Sequence, residues 1–393
     1  MSEGRRQALR WAMGLGLGLG VNTLGSRALS SAAFDTARPT QAPVGSQASP
    51  ILYGRERDRL LHDRDSTLPL HWRERALLAF GTTVSMRAAH AQASVVDAAL
   101  DAALAAVQCV DQQMSLFRPD SAICQLNRDG VLHQPDADLV ALLRLARQVA
   151  ERSAGSFDPT VQPLWRLWQR AHAQGRRPTA AELRAARALV GWQGLHVNDA
   201  SIALARPGMA ITLNGIAQGH AADQARQALL RHGVVDALLD TGEWLPMGSA
   251  PRSDPQPEPK SNSKSDHASG QDPKHSEWRL GVADPHHAHQ LLGALEADGR
   301  ALACSSDDKL FFSADRRDHH ILNPRTGRSP TQLSTVVVAA PSAALADALT
   351  KPMFMGSLAD ALALARRWQV DVLAVDKMGR IAASRGLHLT HVG

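Results

Sequence analysis

Residues 334 to 354 read "STVVVAAPSAALADALTKPMF". The β-branched run at its start predicts a strand. Pro341 and Ser342 then open an alanine-rich helix with Ser342 as its N-cap. Asp347 falls in mid-helix, with Thr350 at i+3 and Lys351 at i+4, so the three polar side chains share one face. Pro352 cannot donate to the carbonyl of Ala348, so the helix must kink or end there. Spacing alone leaves two readings open. The face is either a solvated ion pair, worth roughly a few tenths of a kcal/mol, or the wall of a site.

Outward from this unit, helical and strand-like segments alternate. "LLAFGTTVSMRA" suggests a first strand, and residues 92 to 113 a long Ala/Val/Leu helix. Further helices are expected over about 138 to 152 and over 219 to 232. "TAAELRAARAL" carries a capping box, Thr179 with Glu182. "LHVNDASIALAR" reads as a hairpin turning at Asn198-Asp199, and "MAITLN" as a strand leading into a glycine turn. "VVDALLD", "WRLGVAD" and "VDVLAVDKMGRIAAS" are also strand-like. Long helices between runs of strands predict an α+β fold, with helices covering mixed or antiparallel sheets.

The chain has 393 residues, 44% of them hydrophobic, enough to build a sizeable core. Its formal charge is +5, and no basic run is interleaved with aromatics, which argues against a nucleic-acid partner. Three cysteines without C-x-x-C spacing argue against a disulfide framework and a zinc site. "GRRQALRWAMGLGLGLGVNTL" puts Arg5-Arg6 before a short, glycine-laced apolar run. Residues 1 to 33 therefore read as a twin-arginine-type export signal, which predicts a periplasmic protein. That run is shorter than the roughly 20 apolar residues a membrane span needs, so no transmembrane anchor is expected. Residues 34 to 75 read as a linker, and 249 to 277 as a low-complexity surface insertion.

Four other stretches carry chemistry. "MSLFRPDSAICQLN" holds Phe117, which could stack on a flat ring or sit in an ordinary turn. "GSFDPTVQPLWRLW" carries Asp158-Pro159-Thr160, a candidate helix start. In "ITLNGIAQGHAADQA", Gly215 and Gly219 would let a backbone approach a ligand closely, although the spacing is no nucleotide fingerprint. "HHILNPRTGRSP" sets His320 and Arg325 on a turn that would suit a pyrophosphate or be a plain surface turn.

Each signal is soft alone, but their order is specific. "AFGTT", "MSLFRPDSAICQLN", "FDPTVQPLWRLW", "LNGIAQGHAADQA", "HHILNPRTG" and "ADALTKPMFMG" succeed one another as in the FAD:protein FMN transferases, the ApbE family, which residues 76 to 393 resemble. The resemblance implies an ApbE-like, T-fold-type domain. It also implies an enzyme that takes FAD with magnesium, attaches the FMN half to a threonine of a target flavoprotein (such as a membrane redox-complex subunit) and releases AMP. By the same resemblance, Phe117, Ser156, Phe157, Asp158, Gln218 and His320 would contact the flavin nucleotide. The Gly215 carbonyl, Asp347 and Thr350 would hold the metal, with His320 and Asp347 catalytic.

The departures from the pattern are as informative. Lys351 stands where the family's "ADALATA" has a threonine ligand, Asn323 replaces an aspartate, Thr212 another, and "CSSDD" replaces "TSGDY". "TGE" at 241 to 243 takes the place of "GGE" or "GGD". These changes keep a second expectation in play, a non-catalytic FAD-binding protein of the same fold.

Overall fold

A computed structural model describes residues 69 to 251 and 277 to 390. The expected export signal, most of the linker and most of the insertion lie outside these residues. In chain order the described elements are β1 (His71–Ala79), β2 (Thr82–His90), α1 (Ala93–Met114), α2 (Ala122–Asp129), β3 (Val131–His133), α3 (Ala137–Arg152), α4 (Gln162–Ala173), α5 (Ala180–Arg187), β4 (Leu195–Val197), β5 (Ser201–Leu204), α6 (Ala217–Arg231), β6 (Asp236–Asp240), β7 (Trp244–Met247), β8 (Arg279–Ala283), β9 (Leu291–Glu296), β10 (Ala301–Ser306), β11 (Leu333–Ala340), α7 (Ala343–Phe354), α8 (Leu358–Trp368), β12 (Asp371–Asp376), β13 (Ile381–Ala383) and β14 (Leu389–Thr390).

Eight strands form one sheet in the order β1-β2-β6-β7-β10-β11-β12-β13, and each pair in it is antiparallel. Two three-stranded sheets, β14-β9-β8 and β3-β5-β4, complete the strands. The α+β expectation therefore holds, with antiparallel pairing throughout. Side-chain alternation assigns the two faces of the large sheet to two cores. Val336 and Val338 of β11, with Val372 and Ala374 of β12, join the main core beneath the helices. Val337 and Ala339, with Leu373 and Val375, join a second core shared with Leu280 and Val282 of β8. Every residue of β11 is consequently buried, as expected of a strand covered on both faces.

α1 is long and apolar enough to cross a membrane by composition, and one face of it packs on the main core. Val96, Leu100, Ala103, Val107 and Val110 form one buried stripe, while Asp97 on another face pairs with Arg75 of β1 at 2.7 Å.

Three expectations need revision. β1 starts at His71, inside the segment read as linker, and the expected single strand is a hairpin turning at Phe80-Gly81. "MAITLN" is buried but is no strand. The Asn127 side chain takes the place of a strand partner: its Oδ1 accepts from the Ile211 amide at 2.6 Å, and its Nδ2 donates to the Ile211 carbonyl at 2.8 Å. α6 begins at Ala217, two residues before its expected start, so Gly219 lies inside the helix.

Candidate functional site

The site is built on α6 and α7. Gly219 lets the two helices touch: a methyl added there would lie 2.2 Å from the Ala343 carbonyl oxygen. The close approach expected toward a ligand is thus made toward α7. One turn further along α6, Asp223 accepts from the Ala343 and Ala344 amides at 3.0 Å each and is paired with Arg226 at 3.1 Å. The Ser342 hydroxyl accepts from the Leu345 amide at 3.2 Å. The orphan donors of α7 are satisfied by carboxylate and cap together, which fixes the direction in which Asp347 projects.

Asp347 is fully buried, and its Oδ1 accepts from the Lys351 ammonium. Lys351 Nζ also donates to the Asp347 carbonyl at 3.1 Å. Burial pushes the Asp347 carboxyl upward, while Lys351 and the Gly219 amide, 3.5 Å away, pull it back. Thr350 faces away from this pair. Its hydroxyl, fully buried, donates to the Asp347 carbonyl at 2.8 Å and lies 2.7 Å from the Ser305 hydroxyl. The Lys351 stem crosses Gly215, where an added methyl would meet its Cε at 2.8 Å. Nearby, burial and then the charge of Asp347 drive the Glu243 carboxyl well above the usual carboxylate range, although the Cys304 amide donates to it at 3.1 Å.

His320 is set by the turn between Asn323 and Gly327. Asn323 Oδ1 accepts from the Arg325 amide at 2.9 Å, so asparagine closes this turn as aspartate would. Trp168 of α4 fastens the turn by donating from Nε1 to the Gly327 carbonyl at 2.8 Å. His320 Nδ1 lies 2.9 Å from the Leu310 carbonyl. A carbonyl can only accept, so Nδ1 carries the proton. Burial lowers the imidazole pKa to about 4. His320 is therefore neutral at pH 7, with an unprotonated Nε2. Arg325 donates from Nη2 to the Ala154 carbonyl at 2.5 Å and is not among the residues lining the cavity that His320 lines.

A cavity of about 260 Å³ joins these parts. Apolar Phe157, Val282, Leu302, Leu322 and Val337 line it together with polar Asn214, Gln218, Lys309, His320 and Lys351, the mixed lining of a small-molecule site. Of the residues expected to contact a nucleotide, Ser156, Phe157, Asp158, Gln218 and His320 are brought together here, and Gly215 lines the same cavity. The Asp158 carboxylate is spent on backbone and hydroxyl partners: it accepts from the Thr160 hydroxyl at 2.6 Å and from the Trp192 amide, beyond α5, at 3.0 Å. Gln218 donates from Nε2 to the Thr241 carbonyl at 2.8 Å, and the Thr241 hydroxyl donates back to the Gln218 carbonyl at 2.9 Å. That exchange holds the Gln218 amide in place with Oε1 still able to accept. Phe117 stands apart, partly exposed, its ring against Gly81 at the β1–β2 turn and not among the residues lining the cavity.

Sequence reading assigned no role to Asp240, Glu243, Cys304 or Lys309, which all line the cavity. The available signals were the "DTGEW" turn between β6 and β7 and the "CSSDD" run that begins at Cys304. The donor set suits an extended molecule with a flat apolar part and an anionic part. It does not suit magnesium at Asp347, because Lys351 already occupies the carboxylate and overlies Gly215, and the Thr350 hydroxyl is turned into the core. Among the described residues, no group of three or more His, Cys, Asp or Glu side chains is arranged to hold a metal ion.

Comparison with known proteins agrees with this architecture. The ApbE family model matches residues 80–374. The FAD:protein FMN transferase of Treponema pallidum is 28% identical over 327 residues, covering 80% of this chain and 87% of the relative. That of Klebsiella pneumoniae is 27% identical over 275 residues, covering 67% of this chain and 78% of the relative. Among solved structures, the ApbE protein of Thermotoga maritima superposes with a TM-score of 0.67 at 23% identity, covering 80% of this chain and 97% of its own. The flavin transferase ApbE of Vibrio cholerae gives 0.64 at 22% identity, covering 81% and 98%. With three quarters of its length matched and the site-bearing helices in place, the chain belongs to the ApbE family.

Proposed function

We propose that this protein is an FAD:protein FMN transferase acting on a threonine of a target flavoprotein. The observation that carries the reading is the convergence of Gln218, a neutral His320 and Lys351, whose ammonium is paired with the buried Asp347, on one cavity of an ApbE-family chain. In the reaction, the acceptor threonine oxygen attacks the phosphorus of the FMN half of FAD. A new O–P bond forms, the P–O bond to the AMP half breaks, and AMP leaves with the bridging oxygen. His320 Nε2 takes the hydroxyl proton. Positioning and charge neutralisation dominate phosphoryl-type transfer, and here the cation beside the phosphates is Lys351. Magnesium, which the family resemblance implies, has no free donor set at Asp347, so no step is assigned to it.

Export across the inner membrane is part of the proposal, supported by Arg5-Arg6 and the weak apolar run after them. The acceptor would then be a periplasm-facing flavoprotein, such as a subunit of a membrane redox complex.

One observation favours the alternative of an FAD-binding protein without transfer: the residue in the family's threonine position is an ammonium. One experiment separates the two readings. Purified protein is incubated with FAD and a threonine-containing acceptor, and the acceptor is examined by mass spectrometry. An FMN mass increment with AMP release supports transfer. FAD retention without an increment leaves binding alone.

A further inference from the structure

We propose that Lys351 is a tethered cation that takes the place of a divalent metal at the FAD phosphates, so that this protein binds FAD without magnesium. The inference rests on the reading that the cavity takes FAD. Three observations carry it. The ammonium is seated on the Asp347 carboxylate and on the Asp347 carbonyl at 3.1 Å. Its stem lies over Gly215, with Cε and Nζ 2.8 and 3.6 Å from where a methyl would be. The hydroxyl one residue earlier, on Thr350, is committed to Ser305 and to the helix backbone. A single residue thus covers a carboxylate, a carbonyl and the approach to both.

An ammonium has three donors and no lone pair. Two of its N–H bonds are spent on Asp347, and Lys351 lines the cavity with its side chain partly exposed. The third donor is left for an anion there, where lysine contacts phosphate as a point charge. Lys309 lines the same cavity, a second lysine beside a ligand whose pyrophosphate carries two negative charges. A divalent ion at Asp347 would have to displace Lys351 or sit beside it against like-charge repulsion.

Removing the ammonium reverses the logic. In Lys351→Thr, Asp347 loses its ammonium partner beside the buried Glu243, and a threonine hydroxyl is added at its edge. That variant should recruit magnesium.

The test is FAD titration of the full chain, followed by flavin fluorescence, in EDTA and in millimolar magnesium. For wild type, the FAD dissociation constant should agree within about twofold between the two conditions. For Lys351→Thr, binding should be at least tenfold weaker in EDTA than in magnesium. Lys351→Arg, which keeps the charge, should behave like wild type. A wild type that binds FAD tenfold more tightly with magnesium overturns the inference, and that arm stands even if a variant does not fold. Equal magnesium dependence in wild type and Lys351→Thr overturns it as well. Absence of FAD binding by wild type in both conditions overturns the functional reading itself and the inference with it.

Discussion

Replacing Gly219 by alanine pits two effects of opposite sign against each other. In mid-helix, alanine is favoured over glycine by about 1 kcal/mol, so propensity alone predicts a more stable protein. The structure predicts the reverse. The added methyl would lie 2.2 Å from the Ala343 carbonyl oxygen, 2.4 Å from its carbon and 2.7 Å from the Ala344 nitrogen. These are backbone atoms of a packed helix and cannot rotate aside, so α6 and α7 must separate. Overpacking of this kind typically costs about 1–3 kcal/mol. The immovable obstacle argues for the upper end, leaving a net loss of about 2 kcal/mol after the propensity gain. Separation would also stretch the two 3.0 Å bonds from Asp223 to the first turn of α7. For a domain of this size such a loss lowers Tm by about 4 °C, measurable by calorimetry or circular dichroism. A variant melting at or above the wild-type temperature would refute the close-approach argument.

The remaining predictions address pH, proton transfer and export. His319 is fully buried, and burial pushes its pKa down to about 4 from an ordinary 6.5. Because the unfolded chain binds that proton more readily, the stability at stake is complete above pH 6.5 and is lost as pH falls toward 4, by about 3 kcal/mol. Denaturation curves of wild type and His319→Gln should therefore diverge across that window; parallel curves would contradict the assignment. His320→Asn can still donate to the Leu310 carbonyl but has no Nε2 lone pair. FMN transfer should fall by about 10²–10⁴ while FAD affinity stays within about threefold, a split that equal losses in both would disprove. Exchanging Arg5 and Arg6 for lysines should leave the precursor in the cytoplasm; unchanged periplasmic delivery, followed by fractionation, would exclude a twin-arginine route.

Local chemistry was the legible part of this fold. The Ser342 cap, the Thr179–Glu182 capping box and the hairpin around Asn198 each depend on residues within four positions of one another, and each is present. "MAITLN" misled because its ladder is supplied by Asn127, 84 residues away in sequence, which no window around residue 211 can reveal. β7, β9 and β10 passed unnoticed because short runs such as "WLPM" and "ALACSS" lack clear apolar alternation. In the site, the Asp347–Lys351 pairing could be read from helical spacing, and it exists. That the pair is buried, overlies Gly215 and stands near Glu243 depends on α6 and the β6–β7 turn, which sequence reading could not bring to the same place.

The two-sided burial of β11 bears on how this chain can diversify. Along β1, exposed and shielded positions alternate, so every second residue is open to drift toward polar or charged types. β11 has no such outlet: a polar change at Val336 enters the core under the helices, and one at Val337 enters the core shared with β8. Variation among relatives should therefore collect on the hairpin edge, leaving the centre of the sheet nearly frozen. New acceptor specificities would then arise at the rim of the cavity, where the loops can change without disturbing either core.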